Sequence, residues 1–278
     1  AYIDWSQQEF GIAAALSGDQ NMMAAYHSGD PYLAFAKQAG KVPQHATQQS
    51  HAAERGLFKQ CVLAVQYGMG EATLAQRIGQ STAEARHLLD LHRKTYATFW
   101  RWSDRIRDTA LLTGKLHTAF GWQLHVGKQS NARSLCNFPM QANGAEMLRI
   151  ASILMVQNGI HLCAPVHDAV LIEAPLDRLE NDLAQAQDLM REASRLVLGG
   201  FELNSDAKVI RYPERFEDER GMEMWQRTIA LLDKQNLAQA SPSALSSTPM
   251  PASIPLLPGN VCLDRAAKDQ EDAYDNAA

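Results

Sequence analysis

Several sequence signatures of common enzyme classes are missing from this chain of 278 residues. There is no GxxxxGK(S/T) phosphate loop, no HExxH zinc motif, no GxSxG nucleophile elbow and no paired CxxC spacing. Their absence excludes the usual P-loop ATPases, zinc proteases, α/β hydrolases and zinc fingers. A basic-then-apolar leader and a long apolar run are also missing, so we expect neither secretion nor membrane insertion.

Cysteine is scarce, and its four copies show no pairing pattern. They stand far apart in the chain, at Cys61, Cys136, Cys163 and Cys262. Isolated cysteines of this kind are typical of reduced thiols in an intracellular protein. We therefore expect no disulfide framework.

The composition is that of a soluble globular protein, with 46% hydrophobic and 21% charged residues. The length allows one large domain or two small ones. The net charge of −5 is unevenly spread, since residues 1–150 hold 15 basic and 11 acidic residues while residues 151–278 hold 11 and 20. The basic excess thus lies in the first half of the chain, where we expect phosphate groups to bind.

The stretch 55–70 has the period of a helix with two different faces. One face carries residues spaced four apart: Arg55, Lys59, Leu63 and Tyr67. The other face is an apolar stripe: Leu57, Cys61, Ala64 and Val65. Gly68 is placed to end the helix. Two cations and an apolar platform can hold phosphates and support a base, although a solvated helix with incidental charges would show the same pattern.

Two further stretches carry carboxylates at the ends of predicted strands. Asp4 follows the short apolar run at residues 2–3, and the sequence CAPVHDAVLIEAP at 163–175 predicts a hairpin with His167 and Asp168 at its bend. Carboxylates on two distant strands can converge on a pair of divalent metal ions. A single Asp, however, is most often a surface or turn residue.

Taken together, the three stretches resemble the family A DNA polymerases, of the bacterial DNA polymerase I type. DWSQQE, which starts at Asp4, is similar to motif A, and VHDA at 166–169 is similar to motif C, whose usual form is VHDE. The R-x3-K-x7-YG pattern of motif B is matched by Arg55, Lys59, Tyr67 and Gly68. Order and spacing agree over roughly residues 2–232, so the chain is identified as the C-terminal palm and fingers part of such a polymerase.

The resemblance implies an α+β fold in which a helical fingers subdomain is inserted into an antiparallel palm sheet. We expect palm at 1–16 with motif A, fingers at 17–113 with the motif B helix at 55–67, and palm again at 114–236 with the motif C hairpin at 160–174. The Pro-, Ser- and Ala-rich segment 237–278 predicts a disordered tail. Val209 and Ile210 predict a further short strand.

The same resemblance implies template-directed transfer of a nucleotide from a dNTP to a primer 3′-hydroxyl by a two-metal mechanism, in DNA replication or repair. Asp4 and Asp168 would be catalytic and would bind two Mg²⁺ ions, with Mn²⁺ as an alternative, and the Trp5 carbonyl would add a metal ligand. The residues implied for dNTP binding are Arg55, Lys59, Leu63, Tyr67 and Glu9, the last as steric gate against a ribose 2′-hydroxyl. Those implied for DNA binding are Arg133, Asn137, Gln141 and His167.

The implied partners are primer–template DNA and dNTPs, without a membrane, in the cytoplasm of a bacterium or as a plasmid or phage product. Because the chain opens close to motif A, we also expect a fragment or split polypeptide whose upstream partner supplies the thumb and remaining palm. Two positions depart from the family pattern: Leu63 replaces an aromatic residue and Ala169 replaces the motif C Glu. The alternative function is a catalytically silent nucleic-acid-binding remnant.

Overall fold

Strands from the two ends of residues 1–216 come together in one antiparallel sheet. The computed structural model describes residues 1–66, 68–127, 129–217 and 221–240. In chain order the elements of residues 1–216 are β1 (Tyr2–Trp5), α1 (Gln8–Ser17), α2 (Gln20–His27), α3 (Pro31–Gln38), α4 (Ala52–Gln66), α5 (Glu71–Ile78), α6 (Thr82–Thr95), α7 (Ala97–Thr113), β2 (Lys115–His117), β3 (Gln123–His125), α8 (Ala132–Gln157), β4 (His161–Val166), β5 (Ala169–Glu173), α9 (Leu179–Val197) and β6 (Ser205–Lys208).

The sheet has the order β4-β5-β1-β6, with every neighbouring pair antiparallel. One side of the sheet is buried, as Ile3, Trp5, Val170 and Ile172 are each at most 2% exposed. Because side chains alternate along a strand, Asp4 lies on the opposite side. The predicted α+β class, with helices inserted between the strands of an antiparallel sheet, is confirmed.

The last strand lies at residues 205–208, so the prediction of a strand at Val209 and Ile210 is wrong. Its partner β1 sets the register, with Tyr2 opposite Lys208 and Trp5 opposite Ser205. The strand is at the edge of the sheet and largely exposed. Its sequence, SDAK, therefore lacks the apolar alternation that marks a half-buried strand. Val209 and Ile210 follow this strand and lie beyond its pairing with β1.

The motif B helix is α4, and its buried face is turned relative to the predicted stripe. Cys61 and Ala64 are fully buried as expected, but Phe58 and Val62 share that face. Leu57 and Val65, which were predicted to belong to it, are only half-buried. The face that carries Arg55, Lys59 and Leu63 is thereby left at the edge of the core, and Tyr67 lies outside the described residues.

Asp19 joins the start of the helical region to its end. Its Oδ1 accepts the backbone N–H groups of Asn21 and Met22 at 3.0 and 3.1 Å and so caps α2. Its Oδ2 accepts those of Thr98 and Phe99 at the start of α7, both at 3.1 Å. An acid at two helix N-termini satisfies four otherwise unpaired donors, which fixes α2 against α7.

Three aromatic residues at the junction of α6 and α7 and along α7 form core rather than a stacking surface for nucleic acid. Tyr96, Phe99 and Trp102 are 0%, 4% and 9% exposed, and Phe35 of α3 packs against Tyr96 with ring centroids 5.2 Å apart. His92 belongs to the same cluster and is 1% exposed. The helical region is therefore held around a ring-filled interior.

Helix α8 crosses from the helical region to the sheet and packs closely on α1. At Gly144 a Cβ atom would lie 3.0 Å from Gln8 Oε1 and 3.5 Å from Ile12 Cδ1, so the absent side chain permits this approach. The close packing brings the start of α1, which follows motif A, against the middle of α8. Two predicted site segments are thus neighbours.

A second unit begins at Glu217. It contains α10 (Met222–Ala240), whose last four residues fall in the segment predicted to be disordered. The remainder of that segment, 241–278, lies outside the described residues, and the predicted domain boundaries stay predictions. Across the described part of the chain, none of the helices has the length and apolar character needed to cross a membrane.

Candidate active site

Asp4 lies between two further carboxylates, at the point where β1 faces its two neighbouring strands. Asp4 of β1 lies opposite Ala169 of β5 on one side and opposite Asp206 of β6 on the other. Asp168 precedes Ala169 at the bend of the β4–β5 hairpin. Residues directly opposite each other in an antiparallel pair point to the same face, so Asp4 and Asp206 share one face of the sheet.

The charge of Asp4 is poorly compensated. Its Oδ1 atom is buried and has no hydrogen-bond partner among the described residues. Burial raises the pKa of Asp4 to about 6, and the nearby carboxylates of Asp168 and Asp206 add to the increase. A divalent cation with oxygen ligands would supply the missing counter-charge, so the donor set fits such an ion.

Backbone strain borders the carboxylates on both sides. His167, at the hairpin bend, has φ of +56°, and Gln7, just after β1, has φ of +47°. These are the two described non-glycine residues in the left-handed region, which costs an L-residue roughly 1–3 kcal/mol. Such conformations persist where the surrounding structure holds them, and here they lie within motifs A and C, close in sequence to Asp4 and Asp168.

Glu9 and Gln141, predicted separately for the dNTP and the DNA, are hydrogen-bonded. The Gln141 amide on α8 donates to Glu9 Oε1 on α1. Burial raises the pKa of Glu9, the Gln141 hydrogen bond opposes that increase, and the Asp168 carboxylate adds to it. Glu9 therefore lies within electrostatic reach of Asp168, next to the carboxylate cluster.

The two cations of α4 share one aromatic ring. Tyr32 of α3 lies beneath both, with its ring centroid 5.5 Å from Arg55 Cζ and 5.7 Å from Lys59 Nζ. Arg55 also forms an ion pair with Asp30, Nε to Oδ2 2.5 Å. These contacts hold the cations side by side. The sequence patterns missed Tyr32 and Asp30 as partners, because the only signal there was a turn, Gly29-Asp30-Pro31.

Arg133 lies against the end of the motif B helix. A Cβ atom at Gly68, where φ is +63°, would be 3.0 Å from Arg133 Cγ and 3.2 Å from its Cδ. The structure thus joins the motif B glycine to the first predicted DNA-binding residue. Asn137 and Gln141 follow at intervals of four along the same helix, with Asn137 half-buried and Gln141 exposed.

The remaining predicted residues lie at the borders of this arrangement. Trp5 ends β1 with a buried side chain, and the role of its carbonyl as a metal ligand stays a prediction. Leu63 is half-buried on α4, and His167 is exposed at the hairpin bend. The site thus consists of a carboxylate cluster on the sheet, a cation pair on α4 and a polar row on α8.

A family model decides the assignment of this arrangement. The model for DNA polymerase family A matches residues 1–209, which include β1, α4 and the β4–β5 hairpin. The chain belongs to DNA polymerase family A. The match ends just after β6, so all four strands of the sheet belong to the family region.

Relatives of the chain occur in bacteria and in phages. It is 26% identical over 205 residues to a thermostable DNA polymerase I of Thermus filiformis, covering 68% of this chain and 24% of the relative. It is 28% identical over 202 residues to a DNA polymerase of Mycobacterium phage L5, covering 72% of this chain and 32% of the relative. The chain thus spans about a quarter to a third of the length of these relatives.

A solved structure has the same fold. It is the POL domain of Pol1 from M. smegmatis in complex with DNA primer-template and dNTP. The TM-score is 0.64 at 24% identity, over 73% of this chain and 38% of that chain. At this identity the likeness concerns the fold.

Proposed function

We propose that the chain catalyses template-directed nucleotidyl transfer from a dNTP to a primer 3′-hydroxyl. The observation that carries the proposal is the convergence of Asp4 and Asp168 at the junction of β1 and β5, with one Asp4 oxygen buried and unpartnered. Family membership supports it, since the family's members include DNA polymerases.

Asp4, Asp168 and the Trp5 carbonyl are the groups that would hold two divalent ions, Mg²⁺ with Mn²⁺ as an alternative. Such ions lower the pKa of the attacking hydroxyl and stabilise the charge of the leaving pyrophosphate. The contribution of the chain is geometric and electrostatic. It places anionic oxygens on a rigid sheet and leaves them without competing cations, since no ion pair among the described residues involves Asp4 or Asp168.

The triphosphate would bind at the cation pair of α4. Arg55 and Lys59 are held by the Tyr32 ring, and a bound phosphate would compete with Asp30 for Arg55. Leu63 would face the incoming base one turn further along the helix, and Tyr67 would lie at the template position. Glu9, held by Gln141, would exclude a 2′-hydroxyl from the space beside Asp168.

Primer–template DNA would run along α8. Arg133, Asn137 and Gln141 form its polar row, and His167 at the hairpin bend would lie near the primer terminus. An upstream polypeptide that supplies a thumb and further palm strands would add phosphate contacts and steepen the salt dependence of binding. This part of the proposal predicts that adding such a polypeptide increases primer extension.

The test is single-turnover incorporation of one nucleotide, with the 278-residue chain in excess over labelled primer–template, with and without the upstream polypeptide. Incorporation that requires Mg²⁺ or Mn²⁺ and disappears in Asp168→Asn supports the proposal. DNA binding without incorporation under both conditions would contradict it and would support the silent nucleic-acid-binding remnant. Asp90→Asn, which removes an exposed acid on α6, is the matched control.

A further inference from the structure

We propose that Asp206 is a third carboxylate of the metal site and supplies the negative charge that Ala169 withholds. The proposal rests on the proposed function, because it assigns a residue to the same site. No sequence motif pointed to Asp206, which lies on the exposed edge strand β6. Its position in the sheet ladder carries the inference.

The two strands beside Asp4 offer very different side chains. On the β5 side the residue opposite Asp4 is Ala169, which is 0% exposed and has only a methyl group. On the β6 side it is Asp206, and directly opposite side chains have Cβ atoms roughly 4.5–5.5 Å apart. An ion bound by Asp4 on this face is therefore within reach of Asp206 and finds no oxygen on the Ala169 side chain.

The Asp206 side chain is oriented by a neighbouring hydroxyl. Ser6 Oγ donates to Asp206 Oδ2 at 2.6 Å, which leaves the other carboxylate oxygen available. Ser6 is two residues after Asp4 and directly follows β1, so one short stretch of chain provides both the proposed metal-binding carboxylate and the group that orients its partner. The backbone is fixed at the same point, because Ser6 N–H donates to the Asn204 carbonyl at 2.9 Å.

Without a cation this arrangement is unfavourable. Two like charges directly opposite each other destabilise an antiparallel pair. Among the described ion pairs none contains Asp4 or Asp206. Shared coordination of a divalent cation converts the repulsion into a binding site, since affinity increases with the number of anionic ligands.

The experiment measures the binding of Mn²⁺, without DNA or nucleotide, to the 278-residue chain, with the EPR signal of free Mn²⁺ as the readout. The proteins compared are the wild type, Asp206→Asn, Asp206→Glu, Asp4→Asn and the control Asp90→Asn. Asn keeps an acceptor for Ser6 and removes only the charge. We expect Asp206→Asn to weaken Mn²⁺ binding by about tenfold or more, Asp206→Glu to restore part of it, and the control to match the wild type. Thermal unfolding in EDTA should show Asp206→Asn at or above the wild-type Tm.

The possible failures are distinguishable. Wild-type Mn²⁺ affinity in Asp206→Asn, together with loss of affinity in Asp4→Asn, would overturn the role of Asp206 and leave the proposed function standing. A lower Tm of Asp206→Asn in EDTA, with unchanged Mn²⁺ affinity, would assign Asp206 to strand packing and also overturn the proposal. If the wild type binds no Mn²⁺, or Asp4→Asn binds it normally, the metal site of the proposed function fails.

Discussion

The helical core and the carboxylate face of the sheet treat a partly or fully buried carboxylate in opposite ways. In the helical core, both oxygens of Asp19 accept two backbone N–H groups each. His92, fully enclosed by rings, accepts a hydrogen bond from Trp100 Nε1 at 3.0 Å. These groups are buried with the partners that stability requires.

On the carboxylate face, the corresponding partners are missing. Asp4 Oδ1 is buried without a hydrogen bond, two further acids raise the pKa of Asp4, and the adjoining residues Gln7 and His167 have left-handed backbones. Each feature costs free energy in the isolated chain. The difference teaches that Asp19 is placed where its oxygens stabilise the fold, while Asp4 holds a charge that a bound cation could satisfy. Removing a polar group should therefore damage stability in one region and activity in the other.

The largest effect is expected from Asp168→Asn. Nucleotide incorporation should fall on the order of 10³-fold or more, because under the proposed function the ions that stabilise the transferring phosphate would lose an anionic ligand. The free energy of unfolding in EDTA should stay the same or rise by up to about 1 kcal/mol, since a like charge near Asp4 is removed. Incorporation is measured under single turnover and stability by urea titration.

A loss of stability in Asp168→Asn of the same size as its loss of activity would break the comparison. Circular dichroism of the variant separates that outcome from a specific effect at the site. The control Asp90→Asn should change neither quantity.

The second-largest effect is expected from Asp19→Ala, which should lower stability and leave metal binding unchanged. Removing both helix caps should lower the free energy of unfolding by about 2–3 kcal/mol, because four backbone N–H groups lose their acceptor. Asp19→Asn should cost less, since its remaining oxygen can still cap one helix. Mn²⁺ affinity of the folded protein should be unchanged in both, as measured by EPR under conditions where each variant is folded.

Several elements of the fold and of the candidate site could be predicted from local sequence. The hairpin around Asp168 follows from two apolar runs separated by a polar bend, and β4 and β5 lie where it was expected. The break after α1 follows from Gly18, whose φ of +67° suits a glycine. The N-terminus of α6 follows from Ser81, which accepts the N–H of Glu84 at 3.2 Å. In each case the determining residues are within a few positions of one another.

What the sequence did not reveal depends on pairs that are distant in the chain. Ser6 and Asp206 are 200 residues apart, and the edge strand that joins them has no apolar alternation. Tyr32 has no sequence signal beyond its place after the Gly29-Asp30-Pro31 turn, although its ring lies against both α4 cations. The buried face of α4 was predicted from period alone, which gives a helix its stripe but leaves the packing of Phe58 against Phe35 unknown.

The third-largest effect concerns the selectivity for deoxyribonucleotides over ribonucleotides. Glu9→Ala should raise ribonucleotide incorporation relative to deoxyribonucleotide by about tenfold or more, because the proposed function places the Glu9 side chain in the space of a 2′-hydroxyl. Gln141→Ala should have a smaller effect on this ratio, since Gln141 influences the steric gate only through its hydrogen bond to Glu9. The ratio of kcat/KM for the two sugars is the measurement, and an unchanged ratio in Glu9→Ala would exclude the steric gate.

The smallest effect is a pH dependence of the helical core. Burial lowers the pKa of His92 to about 3, whereas an unfolded histidine titrates near 6.5. As the pH falls below 6.5, His92 therefore becomes protonated in the unfolded chain but stays neutral in the folded chain. Because protonation then stabilises only the unfolded chain, the free energy of unfolding decreases. Between pH 6.5 and 5.5 this loss should be about 1 kcal/mol.

His92→Gln keeps an acceptor for Trp100 but cannot take up a proton, so the free energy of unfolding of this variant should depend less on pH by that amount. Asp4 has the opposite effect, because its raised pKa makes stability increase as the pH falls through 6 toward 4. Since Asp4 is present in both proteins, its contribution cancels in the difference between them. Urea titrations at the two pH values give this difference, and equal pH slopes would show that His92 is protonated in the folded core.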